Sequence, residues 1–369
     1  MKVMTVLGTR PEIIRLSLLI KKLDQYGNHV LVHTGQNYAE VLNEVFFKDL
    51  SLRKPDYFLG VRGDSFGEQL AQILVEGEKV LLKERPDRVV VLGDTNSGLI
   101  TLVAKRLGIP VFHLEAGNRC YDDRVPEEIN RRVIDHSSSV LLPYTHRSKE
   151  NLVREGIDRS RIYVIGNPIY EVLEAYRETI GRSAVHSRLK LQPNKYFLVT
   201  LHRAENVDQQ ERLRSLLSGL ESISRKHDLP IICSLHPRTK SRLKAFGIAE
   251  SGGLIRYIEP LSFTDFVALE KQAVCVLTDS GTVQEECCIF QVPNVTVRDV
   301  TERPETIEVG SNILSGAAPD RMVQCVDVAL REVRDWERPG EYLERQVSSK
   351  VLKILMGYEW RMEPAGRPS

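Results

Sequence analysis

The sequence predicts an α/β protein built on two doubly wound parallel sheets, and three observations carry that expectation. Short β-branched or apolar runs alternate with segments of helical periodicity along nearly the whole chain. The alternation fills the first half and begins again in the second, and 369 residues are long for a single core. Unusual polar residues follow directly after the apolar runs, where sheets of this class hold their ligands.

In the first half the expected strands are Val3–Leu7, Val30–His33, Arg88–Leu92, Pro110–His113 and Val140–Leu142, with helices such as Ile13–Tyr26 and Phe66–Lys83 between them. The second half offers Tyr196–Thr200, Ile231–Leu235, Leu254–Tyr257, Val274–Leu277 and Asn294–Val297. A further strand, Arg161–Ile165, runs into Gly166-Asn167-Pro168, whose turn chemistry marks a join. The expected organisation is therefore a domain 1–167, a domain 168–357 with a cleft between the two, and a poorly ordered tail 358–369 rich in Pro and Gly.

Composition excludes several classes. The 51 Lys+Arg and 50 Asp+Glu give a formal net charge of +1, which points to neither a nucleic-acid nor a membrane-surface partner. The N-terminus runs straight into a strand without the regions of a signal peptide, and no apolar run approaches membrane-spanning length. The six cysteines show no CxxC spacing. They read as small core residues of a reducing compartment, hence a cytoplasmic protein with no metal site. Cys120 is a weak candidate nucleophile.

The chemistry-bearing stretches sit at strand ends. Leu277-Thr278-Asp279-Ser280-Gly281 leaves a strand through a tight turn and opens a helix carrying Glu285 and Glu286 one turn in. Such a helix start offers free N–H groups and a positive dipole end to an anion, and a carboxylate there can accept from ribose hydroxyls. A capped helix with a solvated acidic turn explains the same residues. Gly8-Thr9-Arg10-Pro11-Glu12 has capping-box spacing, but Arg10 puts a cation at the positive end of a helix, which suggests an anionic ligand.

Asp94 follows one strand, Glu115 the next, and Glu127 stands in the first turn of the helix after it. Asp94 could be only an N-cap and Glu127 only a dipole partner. Three carboxylates at neighbouring strand ends are harder to dismiss, and crowding of like charges suits acid–base work. His202 and His236 follow successive strands of the second half, and Arg303 lies in a later loop where Glu302 or Glu305 could pair with it in solvent. Carboxylates on one rim with cations and an anion-binding turn on the other suit a nucleotide-bearing substrate whose leaving group is a diphosphate.

These motifs in this order resemble the non-hydrolysing UDP-N-acetylglucosamine 2-epimerases. Gly8–Glu12, Gly93-Asp94-Thr95, Glu115-Ala116-Gly117, Pro126–Arg131, His202–Asn206, His236-Pro237, Asp279–Glu286 and Thr301–Glu305 carry the likeness across nearly the whole chain. The resemblance implies a GT-B-like fold of two Rossmann-like domains, a homodimer, a UDP-sugar substrate, and no metal or nicotinamide cofactor. Position by position it implies catalytic roles for Asp94, Glu115, Glu127 and His202. It implies ligand contacts for Arg10, Arg131, His236, Ser280, Gly281, Glu286 and Arg303, and Arg15 stands where many members have a lysine near the diphosphate. The implied chemistry is anti-elimination of UDP to a 2-acetamidoglucal, then re-addition with C2 protonated on the opposite face.

Two departures matter. The family's Gln-His-Arg run after the second strand is here Gln36-Asn37-Tyr38, which argues against allosteric activation by UDP-GlcNAc. Gly117–Pro126 resembles the subgroup that forms UDP-N-acetyl-L-fucosamine from UDP-2-acetamido-2,6-dideoxy-L-talose, so that 6-deoxy sugar is an alternative substrate. A hydrolysing epimerase, a GT-B glycosyltransferase and a non-catalytic UDP-sugar sensor stay open at this point. The three carboxylates speak against the last two, which need at most one base.

Overall fold

The computed structural model describes residues 1–35, 46–63, 65–249 and 254–359. Gln36-Asn37-Tyr38 and the tail from residue 360 lie outside the described residues. The chain forms two compact units. Unit 1 comprises Met1–Asn118, Glu127–Pro168 and Glu344–Ser369, and unit 2 comprises Arg119–Pro126 and Ile169–Leu343.

Unit 1 carries a six-stranded parallel sheet in the order β3-β2-β1-β4-β5-β6. Its strands are β1 (Lys2–Leu7), β2 (Asn28–His33), β3 (Tyr57–Phe58), β4 (Arg88–Leu92), β5 (Val111–Leu114) and β6 (Val140–Leu142). Unit 2 repeats the plan with β7 (Phe197–Leu201), β8 (Ile231–Leu235), β9 (Ile255–Ile258), β10 (Cys275–Thr278), β11 (Asn294–Thr296) and β12 (Asn312–Leu314), in the order β12-β11-β10-β7-β8-β9. Counted within each unit, both orders are 3-2-1-4-5-6, so each unit is a Rossmann-like doubly wound fold. The strand order reverses between β1 and β4 in unit 1 and between β7 and β10 in unit 2. A GT-B-like pair of α/β units is what these two sheets compose.

The helices that matter below are α1 (Arg10–Tyr26), α2 (Phe66–Glu84), α3 (Pro126–Ser137), α4 (His146–Arg154), α5 (Gln210–His227), α6 (Phe263–Lys271), α7 (Gly281–Phe290), α8 (Pro319–Arg331) and α9 (Val347–Gly357). In unit 1, Met4, Val6, Val89 and Val91 pack with Ile73, Val80 and Leu81 of α2 and Ile134 of α3. Gly77 lets α2 approach closely, since a methyl there would lie 2.5 Å from Cδ1 of Ile100. In unit 2, Phe197, Val199, Ile231 and Leu277 pack with Leu213, Leu216 and Leu220 of α5 and Met322 and Val326 of α8. Each such fully buried aliphatic or aromatic side chain contributes about 1.5–3 kcal/mol over an exposed one.

Several sequence expectations need correction. Arg161–Ile165 is not a strand: Ile162 makes a single bridge to Leu141, and Tyr163 and Ile165 donate to the carbonyls of Leu141 and Pro143. Its neighbour β6 has only three residues and stops at Pro143, which has no N–H to extend a ladder. The division also differs from the expected one, because α9 packs on α1 in unit 1 and the segment Arg119–Pro126 belongs to unit 2. Tyr358 does not start a loose tail. Its ring meets Phe112 and Tyr163 edge-on, and its carbonyl accepts from Nη2 of Arg88 at 2.5 Å. The edge strands β3 and β12 were not foreseen.

Candidate active site

In unit 1 the polar residues gather at the C-terminal ends of β1, β4 and β5, which adjoin at the reversal of strand order. Thr9 and Glu12 form the expected capping box at the start of α1. Glu12 does more than cap. It is buried, and it accepts from the backbone N–H of Gly8 and Thr9 and from the Thr95 hydroxyl at 3.1 Å, tying the β1 turn to the β4 turn. Burial raises its carboxyl to about 7 from 4.5. Arg10 is half-buried, with its guanidinium 5.2 Å from the Phe46 ring centre. Burial pulls its pKa below the usual arginine value, and among the described residues no carboxylate pairs with it. A desolvated cation at the positive end of a helix is electrostatically unfavourable without a counter-charge.

The three candidate carboxylates are not a bare cluster of like charges. Asp94 Oδ2 lies 2.6 Å from Nη2 of Arg131, and Arg131 Nη1 donates to the buried Glu128 at 2.8 Å. Glu115 Oε2 lies 2.7 Å from Nη1 of Arg15. The expected crowding is therefore relieved by ion pairs. Arg15 is buried, stacks over Tyr144 and reaches Glu115, so its nearest anion is a catalytic candidate rather than open space. Glu127 sits half-buried in the first turn of α3, one turn before Arg131. Asp94 and Glu115 face neighbouring turns, since a methyl on Gly93 would lie 3.9 Å from Cδ of Glu115. Glu115 itself has a left-handed backbone, φ 65°, an unusual conformation for a residue with a side chain.

Beneath these turns lies a pair that sequence reasoning missed. His113 Nδ1 is 2.8 Å from Asp135 Oδ1, and His113 Nε2 is 2.8 Å from the carbonyl of Gly93. Asp135 Oδ2 accepts from the N–H of Gly117 at 3.1 Å. Gly117 has φ 80°, and a side chain there would strike the carbonyl of Ser148.

In unit 2 the corresponding strand ends are those of β7 and β10. Asp279 is fully buried, and both its oxygens face the segment after β7. It accepts from the N–H of His202 and of Arg203, each at 3.0 Å, and from the Asn206 amide at 3.2 Å. Nδ1 of His202 lies 3.2 Å from Asp279 Oδ1, which leaves Nε2 as the outward nitrogen. The His202 and His236 rings stand 5.3 Å apart. His236 Nδ1 accepts from the N–H of Arg238 at 3.2 Å, so its neutral ring presents Nε2–H as a donor. Asp279 was visible in the sequence as the residue before Ser280, but its orienting function was not.

Ser280 is the N-cap of α7 and its side chain does not cap the helix; it contacts the Thr282 hydroxyl at 3.0 Å instead. The first N–H groups of α7 therefore have no cap from Ser280, as an anion site requires. Gly281 makes room for Glu302, whose Oε1 lies 2.7 Å from where a methyl would stand. Glu302 in turn binds Arg203 at 3.2 Å and Arg298 at 2.9 Å. Arg303 is not a solvated loop residue. It is buried and pairs through Nε with Glu285. The two acidic residues of α7 thus divide: Glu285 serves Arg303, and Glu286 lies buried with a small exposed edge of 6 %.

All six cysteines are free. Cys233, Cys275, Cys287 and Cys288 are buried and burial pushes each thiol up, which leaves them unreactive. No described helix is long and apolar enough to cross a membrane.

Comparison with known proteins gives a consistent result. The family model described as UDP-N-acetylglucosamine 2-epimerase matches residues 21–356. The chain is 46 % identical over 364 residues to the UDP-N-acetylglucosamine 2-epimerase of Methanocaldococcus jannaschii, covering 96 % of this chain and 99 % of that one. It is 36 % identical to the UDP-2,3-diacetamido-2,3-dideoxy-D-glucuronate 2-epimerase of Pseudomonas aeruginosa, covering 96 % and 99 %. The crystal structure of the M. jannaschii UDP-GlcNAc 2-epimerase in complex with UDP-GlcNAc and UDP superposes with a TM-score of 0.92 at 44 % identity, covering 96 % of this chain and 99 % of that one. With strand-end carboxylates in one unit and an uncapped helix start in the other, the chain belongs to the UDP-N-acetylglucosamine 2-epimerase family of isomerases.

Proposed function

We propose that the protein interconverts UDP-GlcNAc and UDP-ManNAc without net hydrolysis. The observation that carries this reading is the pair Asp94 and Glu115 at adjoining strand ends, each held by an arginine, with Glu127 in the first turn of α3. A base takes the C2 proton, and the C1–O bond breaks with its electron pair leaving on UDP, which gives a 2-acetamidoglucal. UDP then adds back at C1 while an acid delivers a proton to the opposite face of C2. Asp94, Glu115 and Glu127 serve the proton transfers. His202, oriented by Asp279, and His236 meet charge developing on the leaving diphosphate. Ser280 and Gly281 at the start of α7 hold the diphosphate, and Glu286 accepts from the ribose. Arg10 and Arg131 supply cations on the carboxylate side, Arg15 supports Glu115, and Arg303 braces α7 through Glu285. No metal or nicotinamide takes part in this scheme.

The reading includes a homodimer in the cytoplasm. Val75 and Leu82 of α2, seven positions apart and so on one face of the helix, are exposed and suit a second copy. The 6-deoxy sugar alternative rests on the Gly117–Pro126 segment, and the Pseudomonas relative named for a modified sugar supports a family whose substrates vary.

The deciding experiment is product analysis after incubation with UDP-GlcNAc in D₂O. The expected product is UDP-ManNAc with deuterium at C2. Free sugar plus UDP would point to a hydrolysing enzyme, and sugar on an acceptor without 2-epimer to a glycosyltransferase. Turnover of only UDP-2-acetamido-2,6-dideoxy-L-talose would assign the 6-deoxy substrate.

A further inference from the structure

An open cavity of about 470 Å³ lies in unit 1, and none of the site residues proposed above lines it. Its walls come from the start of α4, the segment 162–165 and α9. That volume falls within the range of small-molecule sites.

Two chemistries meet in the wall. Tyr163, Val164 and Ile354 supply apolar surface, and the Tyr163 ring is held edge-on by Tyr358 at 6.3 Å. Lys149, Lys350 and Lys353 supply three ammonium groups, and His146 stands at the positive end of α4. Among the described residues no carboxylate lines the cavity. Lys149 donates to the carbonyl of Ile162 at 3.4 Å, and Lys350 pairs with Glu344, which is outside the wall. Lys353 makes no hydrogen bond or ion pair among the described residues. Lys350 and Lys353 share one face of α9, so their like charges repel unless an anion comes between them.

This combination selects its occupant. A metal ion or an amine would meet like charge. A nucleic-acid strand exceeds the volume. A bare inorganic anion would leave the apolar wall uncovered. An anion with an apolar body satisfies both halves, since the lysines neutralise its charge and the body removes the apolar surface from water.

We propose that this cavity binds a small organic phosphate, its phosphate group held by Lys149, Lys350 and Lys353 and its aromatic or aliphatic body laid against Tyr163 and Ile354. The site is additional to the UDP-sugar site and does not rest on that reading. The phosphate competes with Glu344 for Lys350, so Glu344 weakens binding in the parent.

The test titrates the full chain with naphthyl phosphate, followed by its fluorescence, with UDP at saturation and without UDP. Naphthol and inorganic phosphate serve as the two halves of the probe. Naphthyl phosphate should bind at least about 10-fold more tightly than either half, with the same affinity whether or not UDP is present. The double variant Lys350→Gln/Lys353→Gln, whose changes lie on the surface, should lose on the order of 10-fold. Glu344→Gln releases Lys350 and should tighten binding by about 3-fold, an opposite effect that damage to the fold would not produce. Unchanged affinity in the double lysine variant would overturn the proposal. So would naphthol or inorganic phosphate binding as tightly as the ester, or loss of probe binding when UDP is present. A parent that binds no UDP would fail the UDP-sugar reading instead, and the comparison of the lysine variants would still decide this one.

Discussion

His113 and Asp135 form a buried pair that clamps two turns at once. Both ring nitrogens of His113 face acceptors, Asp135 Oδ1 and the Gly93 carbonyl, each at 2.8 Å. The ring therefore bridges the Asp135 carboxylate and the backbone of the turn that follows β4. Asp135 then holds the N–H of Gly117 with its second oxygen. One pair therefore fixes the turn that carries Asp94 and the turn that carries Glu115.

Breaking that clamp should slow the reaction without touching the groups that react. His113→Gln keeps one donor and cannot satisfy both turns. Its kcat should fall about 10–100-fold, since misplacing reacting groups by an ångström costs on that order. UDP affinity should stay near the parent's, because the proposed UDP contacts are in unit 2. Removing one partner of a buried pair should also lower stability by about 3–5 kcal/mol. Steady-state kinetics beside calorimetric UDP titration checks this, and an equal loss of kcat and UDP affinity would show general unfolding instead.

The carboxylates themselves should behave differently from their supports. Asp94→Asn, Glu115→Gln and Glu127→Gln should each lose on the order of 10²–10⁴-fold in rate if the residue acts as acid or base. Arg15→Lys should lose less, because a lysine keeps a charge near Glu115 but not the same planar contact. UDP titration of each variant separates chemistry from binding. A variant with full activity would remove its residue from the proton transfers.

The fold was legible because parallel strands buried on both faces read as continuous apolar runs, and all but β3 and β12 stand out in the sequence. Neither residue of β3 is buried and only Asn312 of β12 is, so these two edge strands carry no buried apolar run. The strand-end polar residues were visible for the same reason in reverse: Asp94, Glu115 and Asp279 interrupt apolar runs. Their partners were not. Arg15 and Glu115 are 100 positions apart, and nothing local announces that they meet. Glu12 read as a capping residue, which it is, but its burial against Thr95 depends on tertiary packing. Glu270, fully buried in the last turn of α6, resembles any solvent-facing helical glutamate until the neighbouring helix is in place.

Asp279 should prove as important to His202 as any contact the substrate makes. It takes four hydrogen-bonding groups from the segment after β7, including Nδ1 of His202. Asp279→Asn would turn an amide N–H toward donors at one of the oxygens. The expected result is a fall in kcat at least as large as that of His202→Asn, accompanied by a loss of stability of about 3–5 kcal/mol from the broken buried network. A His202→Asn variant that is slower than Asp279→Asn would show that the imidazole acts without its carboxylate.

The last prediction concerns acid and alkali. Burial raises Glu12 to about 7 from 4.5 in the folded protein. At low pH both folded and unfolded chains carry its proton. As pH rises past the unfolded value, the unfolded chain releases the proton first, so the folded state binds more and stability falls. The loss continues until pH passes the folded value, and its size is at most about 3 kcal/mol. Glu270 is shifted in the same direction and adds to the trend. Glu12→Gln preserves an oxygen for the N–H groups of Gly8 and Thr9 and turns its amide to the Thr95 hydroxyl, which can accept. Its urea-unfolding stability should therefore be flatter between about pH 5 and pH 8 than the parent's, and a double change with Glu270→Gln flatter still. The same slope in parent and Glu12→Gln would mean that Glu12 stays ionised in the fold, stabilised by the three donors that surround it.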